Sequence, residues 1–359
     1  MSGKKLLLLL VLAVAVIAAA LVAVGRKQKE TAGNEDVSRA TVPGLSEKLN
    51  AVRHLTFSRG GVQTDVYTDV EGAWHVQQLS DYPADVKEIR KFLYLLASSK
   101  RMEKKTADPD LLPRVHLSED TAVKVTGMET DDAPPLFNVL IGKRDENFQG
   151  TFLRDAGDNQ SWLVSEKLAV EPANLAWVDK EILRIDHARI WKIRLVHEGL
   201  PVVEIDREKP AGDFVLNTIP KGKELSAHYD IYTVSTAVEN MKFANVAKAE
   251  ALPDPVKTTA HFLTIDGLEL EVRIAPGAVK GMHWATVSAR FLPEAILESE
   301  EAKKLSKTPE EVQKEVAAIN ARTQGWVYVL DEFPYKLLMK TMEDFTKPIK
   351  APKDDKKAS

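Results

Sequence analysis

Cysteine is absent from all 359 residues. Disulfides, thiol catalysis, thiolate metal sites and lipid attachment through cysteine are excluded together. A bias of charge is missing as well. The 49 Lys and Arg residues stand against 53 Asp and Glu, a net charge of −4, so no general attraction to nucleic acid is expected. Local catalytic signatures are also missing: no G-x-S-x-G, phosphate-binding loop or G-x-G-x-x-G occurs. The eight histidines are His54, His75, His116, His187, His197, His228, His261 and His283. None forms H-x-x-x-H, H-E-x-x-H or H-x-H with a carboxylate at ligand spacing. His54 and His75 fall inside strand patterns and are expected as strand-face residues. Gly277-Ala278-Val279-Lys280-Gly281 lacks the Gly-Lys-Ser/Thr ending of a phosphate loop and follows no βα unit, so a hairpin turn is expected there. Asp131-Asp132 and Asp354-Asp355 read as solvated charge runs. No catalytic, cofactor-binding or metal-ligating residue is nominated, and no small-molecule substrate.

What is present begins with an apolar run. Leu6 to Gly25 reads LLLLLVLAVAVIAAALVAVG. At about 1.5 Å per residue, about 20 such residues span the roughly 30 Å hydrocarbon core of a bilayer. The expectation is an uncleaved transmembrane anchor over 1–27, giving membrane association through Leu6–Gly25. A cleaved secretory signal is the alternative, with Ala18-Ala19-Ala20 as its cleavage candidate. Lys4 and Lys5 precede the run, and Arg26, Lys27 and Lys29 follow it. The short N-terminal tail favours export of the body, whereas the basic residues after the run favour the cytoplasm, so the flanks leave orientation open. The expected location is the inner membrane, single-pass, with the bulk of the chain on the extracytoplasmic side.

Hydrophobic residues make up 44% and charged residues 28% of the chain, ordinary values for a globular body with a core. Residues 28–44 are polar and aperiodic, and read as a linker. From Val52 short strand patterns alternate with turn signals such as Gly60-Gly61 and Glu71-Gly72. Asp85 is a plausible N-cap with Glu88 completing a capping box. Ile89, Phe92, Leu93 and Leu96 then form one apolar helical face. Lys100, Arg101, Lys104 and Lys105 read as solvated charges at the helix end. Strand patterns follow at Ala122–Val125, Phe137–Ile141, Thr151–Arg154 and Trp162–Val164, and Leu168–Ile185 reads as short helical turns.

The pattern then restarts. Val52, Leu55, Phe57 and Gly61 align with Ile190, Ile193, Leu195 and Gly199, an offset of 138. Gly72–Val76 aligns with Gly212–Leu216, and the helix face Ile89, Phe92, Leu96 with Ile231, Val234, Val238. Phe137, Val139, Ile141 align with Leu270, Val272, Ile274, and Trp162–Val164 with Trp326–Tyr328. An ordered series of this kind indicates duplication. Equivalent tryptophan positions in the two copies point to core packing for Trp74, Trp162, Trp177, Trp191, Trp284 and Trp326 rather than to glycan stacking.

The expected class is α+β: two tandem duplicated modules of mostly antiparallel strands, each with a packed helix, behind one N-terminal transmembrane helix. Their spans are 45–186 and 187–346. The second copy carries a charged insertion over 293–323. Thr308, Pro309 and Glu311 make a strong helix start there. The narrow stripe Val312, Val316 and Ile319 suggests a surface helix dispensable to the core, and a partner-docking role. Residues 347–359 are Pro- and Lys-rich and read as a disordered tail.

The full order resembles the domain-of-unknown-function 4340 family. The carrying residues are the apolar run, Trp74 ending a strand, Tyr82-Pro83-Ala84-Asp85, the Ile141-Gly142 and Phe152-Leu153-Arg154 strands, and Trp177-Val178-Asp179-Lys180-Glu181-Ile182-Leu183. The insertion from Pro293 departs from that pattern. The resemblance implies a bacterial envelope protein, often encoded beside gliding-type ABC transporter components, with no established catalytic residues to transfer. The leading expectation is a non-enzymatic, membrane-anchored accessory or scaffold of an ABC-type transport complex, with membrane transport proteins as partners. The alternative is a glycan-, lipid- or peptide-binding module using a groove between the repeats. A hydrolase built from distant residues finds no support in any local spacing.

Overall fold

A computed structural model of the chain describes residues 39–349, apart from 131, 148–149, 252–254 and 278–281. The Leu6–Gly25 segment and residues 350–359 lie outside the described residues. Among the described residues no helix is long and apolar enough to cross a membrane. The chain divides into two compact units, Met1–Val178 and Asp179–Ser359.

The first unit is a nine-stranded antiparallel sheet. Its strands are β1 (His54–Arg59), β2 (Val62–Thr68), β3 (Trp74–Val76), β4 (Tyr82–Pro83), β5 (Arg101–Lys104), β6 (Val123–Met128), β7 (Phe137–Arg144), β8 (Thr151–Asp155) and β9 (Ser161–Val164). They are ordered β4-β3-β2-β1-β6-β7-β8-β9-β5. Alternation sends Leu55 and Phe57 to one face of β1, where helix α1 (Val86–Ser98) buries Ile89, Phe92, Leu93 and Leu96. Phe57 stacks on Trp177 with ring centroids 4.0 Å apart, and Phe92 meets both rings edge-on. The opposite face carries a smaller cluster of Leu112, Leu117, Leu140, Phe152 and Leu163. β8 and β9 are therefore buried on both faces, and they carry buried polar groups, Thr151, Arg154 and Ser161, among their apolar residues. Asp85 caps α1 by accepting from the Lys87 N–H at 2.9 Å. Glu88 does not close the expected capping box; it pairs with Lys91 at 3.0 Å.

The second unit contains β10 (Glu181–Leu183), β11 (Ile190–His197), β12 (Val203–Arg207), β13 (Phe214–Leu216), β14 (Lys223–Leu225), β15 (Met241–Lys248), β16 (Thr258–Thr264), β17 (Leu268–Pro276), β18 (His283–Phe291), β19 (Trp326–Leu330) and β20 (Thr346–Pro348). Its nine-stranded sheet is ordered β10-β15-β19-β18-β17-β16-β11-β12-β13. Read from the other edge, β13-β12-β11-β16-β17-β18-β19-β15 repeats β3-β2-β1-β6-β7-β8-β9-β5 strand for strand. The register repeats too. Leu55 faces Val66 and Gly127, and Ile193 faces Ile205 and Phe262. Phe137 faces Gly127, and Leu270 faces Phe262. The pair differs in bulk between the copies: a Cβ on Gly127 would lie 2.2 Å from the Phe137 ring, whereas Phe262 and Leu270 are both large. Helix α2 (His228–Ser235) and the turn after it bury Ile231, Val234 and Val238, matching the α1 face.

Several expectations are corrected. Glu181–Leu183, read as part of a helical stretch, forms β10 against β15 of the second unit. Lys100–Lys105 is not a solvated helix end. Arg101 opens β5, donates to Asp155 Oδ2 at 2.6 Å and lies over the Trp162 ring. Lys104 also lies over that ring. Trp74 opens β3 rather than ending a strand. Only Trp162 and Trp177 are fully buried; Trp74, Trp191, Trp284 and Trp326 are half-buried. Lys347 and Pro348, read as tail, pair with Glu224 and Lys223. Of the glycine-bounded loop at 277–281, residues 278–281 lie outside the described residues; the strands on either side form a hairpin, pairing Pro276 with His283.

The insertion packs against the sheet of the second unit. Helix α3 (Pro309–Thr323) has the full Thr308–Glu311 capping box. It buries Val312, Ile319 and Thr323, while Val316 stays half-buried. Asn320 donates to the Ala289 carbonyl at 2.8 Å and accepts from the Ala289 N–H at 2.9 Å, completing β18 where β19 does not reach.

Candidate functional site

The first unit holds a cleft of about 460 Å³ between α1, the end of β7 and the extended residues 167–171. Hydrogen bonds to Thr151 and Thr64 hold residues 167–172 across the sheet. Thr151 accepts the Leu168 N–H at 2.9 Å, and Thr64 donates to the Pro172 carbonyl at 2.6 Å. The wall is apolar where Phe92, Val123, Ile141, Leu168, Val170 and Trp177 meet. Gly142 lets the backbone close the wall, since a Cβ there would lie 2.3 Å from the Val115 carbonyl oxygen. The Trp177 N–H already donates to the Glu171 carbonyl at 3.1 Å, and its face is covered by Phe57.

The mouth of the cleft is cationic. Arg59, Lys91, Lys143, Arg144 and Lys167 line it, against two carboxylates, Glu88 and Glu171. Arg59 pairs with Glu171 at 3.1 Å and Lys91 with Glu88 at 3.0 Å. Lys143, Arg144 and Lys167 are exposed and, among the described residues, have no carboxylate partner. None of these residues was singled out from the sequence. The only local signal was the Lys143-Arg144 pair ending an apolar strand.

Buried charge elsewhere serves turns. Arg154 donates to the Leu117 and Asp158 carbonyls at 2.9 and 3.0 Å and to Glu119 at 2.6 Å, pinning the segment that covers the second face. Asp65 accepts from Thr56, Gln63 and Gln78 at 2.7 to 2.8 Å. Burial pushes its pKa up, but these hydrogen bonds, with His54, outweigh burial and hold it below the usual carboxylate value. Asp266 behaves likewise: burial raises its pKa, and bonds from Arg189, Thr264 and the Lys307 N–H bring it lower on balance. His75 is a strand-face residue, bonded to Asp69 Oδ2 at 2.8 Å and to the Asp81 carbonyl at 2.9 Å.

Among the described residues, one group of metal-ligating type gathers around His187. His187 Nδ1 lies 2.6 Å from Glu239 and 3.8 Å from Asp186, and its Nε2 lies 2.8 Å from the Tyr232 hydroxyl. These three donors of metal-binding type fall within 4.8 Å of one another. Both ring nitrogens are already hydrogen-bonded, so a cation would have to displace the short Glu239 contact. The arrangement ties α2 to the turn before β11.

A family model described as "Domain of unknown function (DUF4340)" matches residues 74–259, just over half of the chain. The match runs from β3 of the first unit into β16 of the second. No curated protein and no solved structure matches the chain.

Proposed function

This chain belongs to the DUF4340 family, and we propose that it is a non-enzymatic, membrane-anchored envelope protein acting as an accessory or scaffold of an ABC-type transport complex. The reading places the chain in the inner membrane through Leu6–Gly25, with the two units on the extracytoplasmic side. The observation that carries it is how the units use their charged groups. Arg154, Arg189, Asp65 and Asp266 are buried and bonded into turns, strands and covering segments, an arrangement that supports rigid surfaces for protein contacts. The apolar run and the resemblance to envelope proteins encoded beside transporter components support the rest. Affinity purification of the tagged full chain from membranes in mild detergent tests it. Recovery of transporter subunits with the chain is expected; repeated recovery of none would remove the proposal.

A further inference from the structure

We propose that the first-unit cleft between α1 and residues 167–171 binds an amphipathic anion, a ligand with an acyl-like apolar body and a carboxylate or phosphate head. The volume, about 460 Å³, falls within the range of small-ligand clefts, roughly 300–1,000 Å³. The apolar body is matched by the inner wall of Phe92, Val123, Ile141, Leu168 and Val170. Apart from its Lys, Arg and Glu residues and the Trp177 indole, the polar side chains of the lining are His116 and Thr121, and Thr121 is already bonded to Ser118 at 2.5 Å. A sugar needs several such partners and an open aromatic face. The Trp177 indole offers neither, since its N–H is bonded and its face is stacked. An aliphatic body needs no hydrogen bonds.

The head is matched by Lys143, Arg144 and Lys167, whose charges no carboxylate among the described residues offsets. Two of them are consecutive at the end of β7, and the third enters from the facing segment, so an anion at the mouth is approached from both sides. Arginine and lysine differ in geometry but both take carboxylate and phosphate oxygens in charge-assisted bonds. Free fatty acids and lysophospholipids share this chemistry. The inference does not rest on the transport reading: a chain without a transporter partner retains the cleft.

The test uses the purified full chain in nanodiscs of phosphatidylcholine alone, with empty nanodiscs as the blank. Dansylated undecanoate is the probe, read by its emission on binding. Saturable binding is expected, reversed by oleate or lysophosphatidic acid and not by uncharged monoolein; whichever of the two displaces the probe at the lower concentration identifies the source. Joint Lys143→Glu, Arg144→Glu and Lys167→Glu should weaken binding roughly tenfold or more. Ala169→Trp, at an exposed position on the lining, should block it with the melting temperature unchanged. Absence of saturable binding to the folded wild type would overturn the proposal. So would equal displacement by monoolein, unchanged affinity in both variants, or displacement by an acidic peptide but by neither anionic amphiphile.

Discussion

Arg189 and Asp266 form a buried two-point pair: Nε donates to Oδ2 at 2.8 Å and Nη2 to Oδ1 at 3.1 Å. The pair joins the turn before β11 to the β16–β17 turn. The insertion completes it, with Glu315 accepting from Arg189 at 2.9 and 3.1 Å and the Lys307 N–H donating to Asp266 at 2.9 Å. Asp266→Ala leaves a buried guanidinium with half its partners. A loss of about 3–5 kcal/mol is expected, confined to the second unit. Hydrogen exchange read peptide by peptide separates the units: protection should fall in β11, β16 and β17 and hold in β1 and β6.

Removing the insertion should do more. Replacing residues 293–323 with a Gly-Ser linker strips Glu315 from Arg189, Asn320 from β18, and the buried Ala302, Val312 and Ile319 from the core. The second unit is expected to unfold while the first keeps its structure. A cooperative melt of both units at the wild-type temperature would show the insertion to be peripheral.

Acid should destabilise both units. Asp65 and Asp266 have folded pKa values below their ordinary 3.8. A lowered carboxylate contributes stability that is present above the unfolded value and lost as pH falls through the folded one. Urea midpoints should therefore hold from neutral pH down to about 5 and drop below about 4. Asp65→Asn should flatten this drop in the first unit alone.

Equivalent aromatics should differ in cost. Phe214 is buried and lies under the Arg207 guanidinium at 4.2 Å, whereas Trp74 is half-buried. Phe214→Ala should cost about 3–5 kcal/mol and Trp74→Ala clearly less. Equal losses in denaturant titrations would mean that Trp74 packs as deeply as its counterpart.

The fold was legible where one face of a strand or helix is buried and the other wet. Leu55 with Ile193, Val139 with Val272 and the α1 face all show their period in the sequence, and the repeat follows from them. β10 was not legible, because Ile182 and Leu183 follow helix-tolerant residues and acquire strand geometry only through β15. The His187–Glu239 contact joins residues 52 apart in sequence, beyond any ligand spacing. The cleft draws on α1, β7 and residues 167–171, and its cations carry no signal until those three segments meet. The insertion misled because its apolar stripe is narrow: part of what holds it is polar, through Glu315 and Asn320.

Proximity to a transporter in the intact membrane tests the central claim most directly. A photoreactive amino acid placed at exposed positions of each unit, such as Tyr94 and Phe333, is irradiated in living cells, and the crosslinked partners are identified by mass spectrometry. The account predicts adducts to subunits of an ABC-type transporter that disappear when residues 1–27 are removed. Adducts to no transport protein from any position, with the chain intact and membrane-bound, would contradict it.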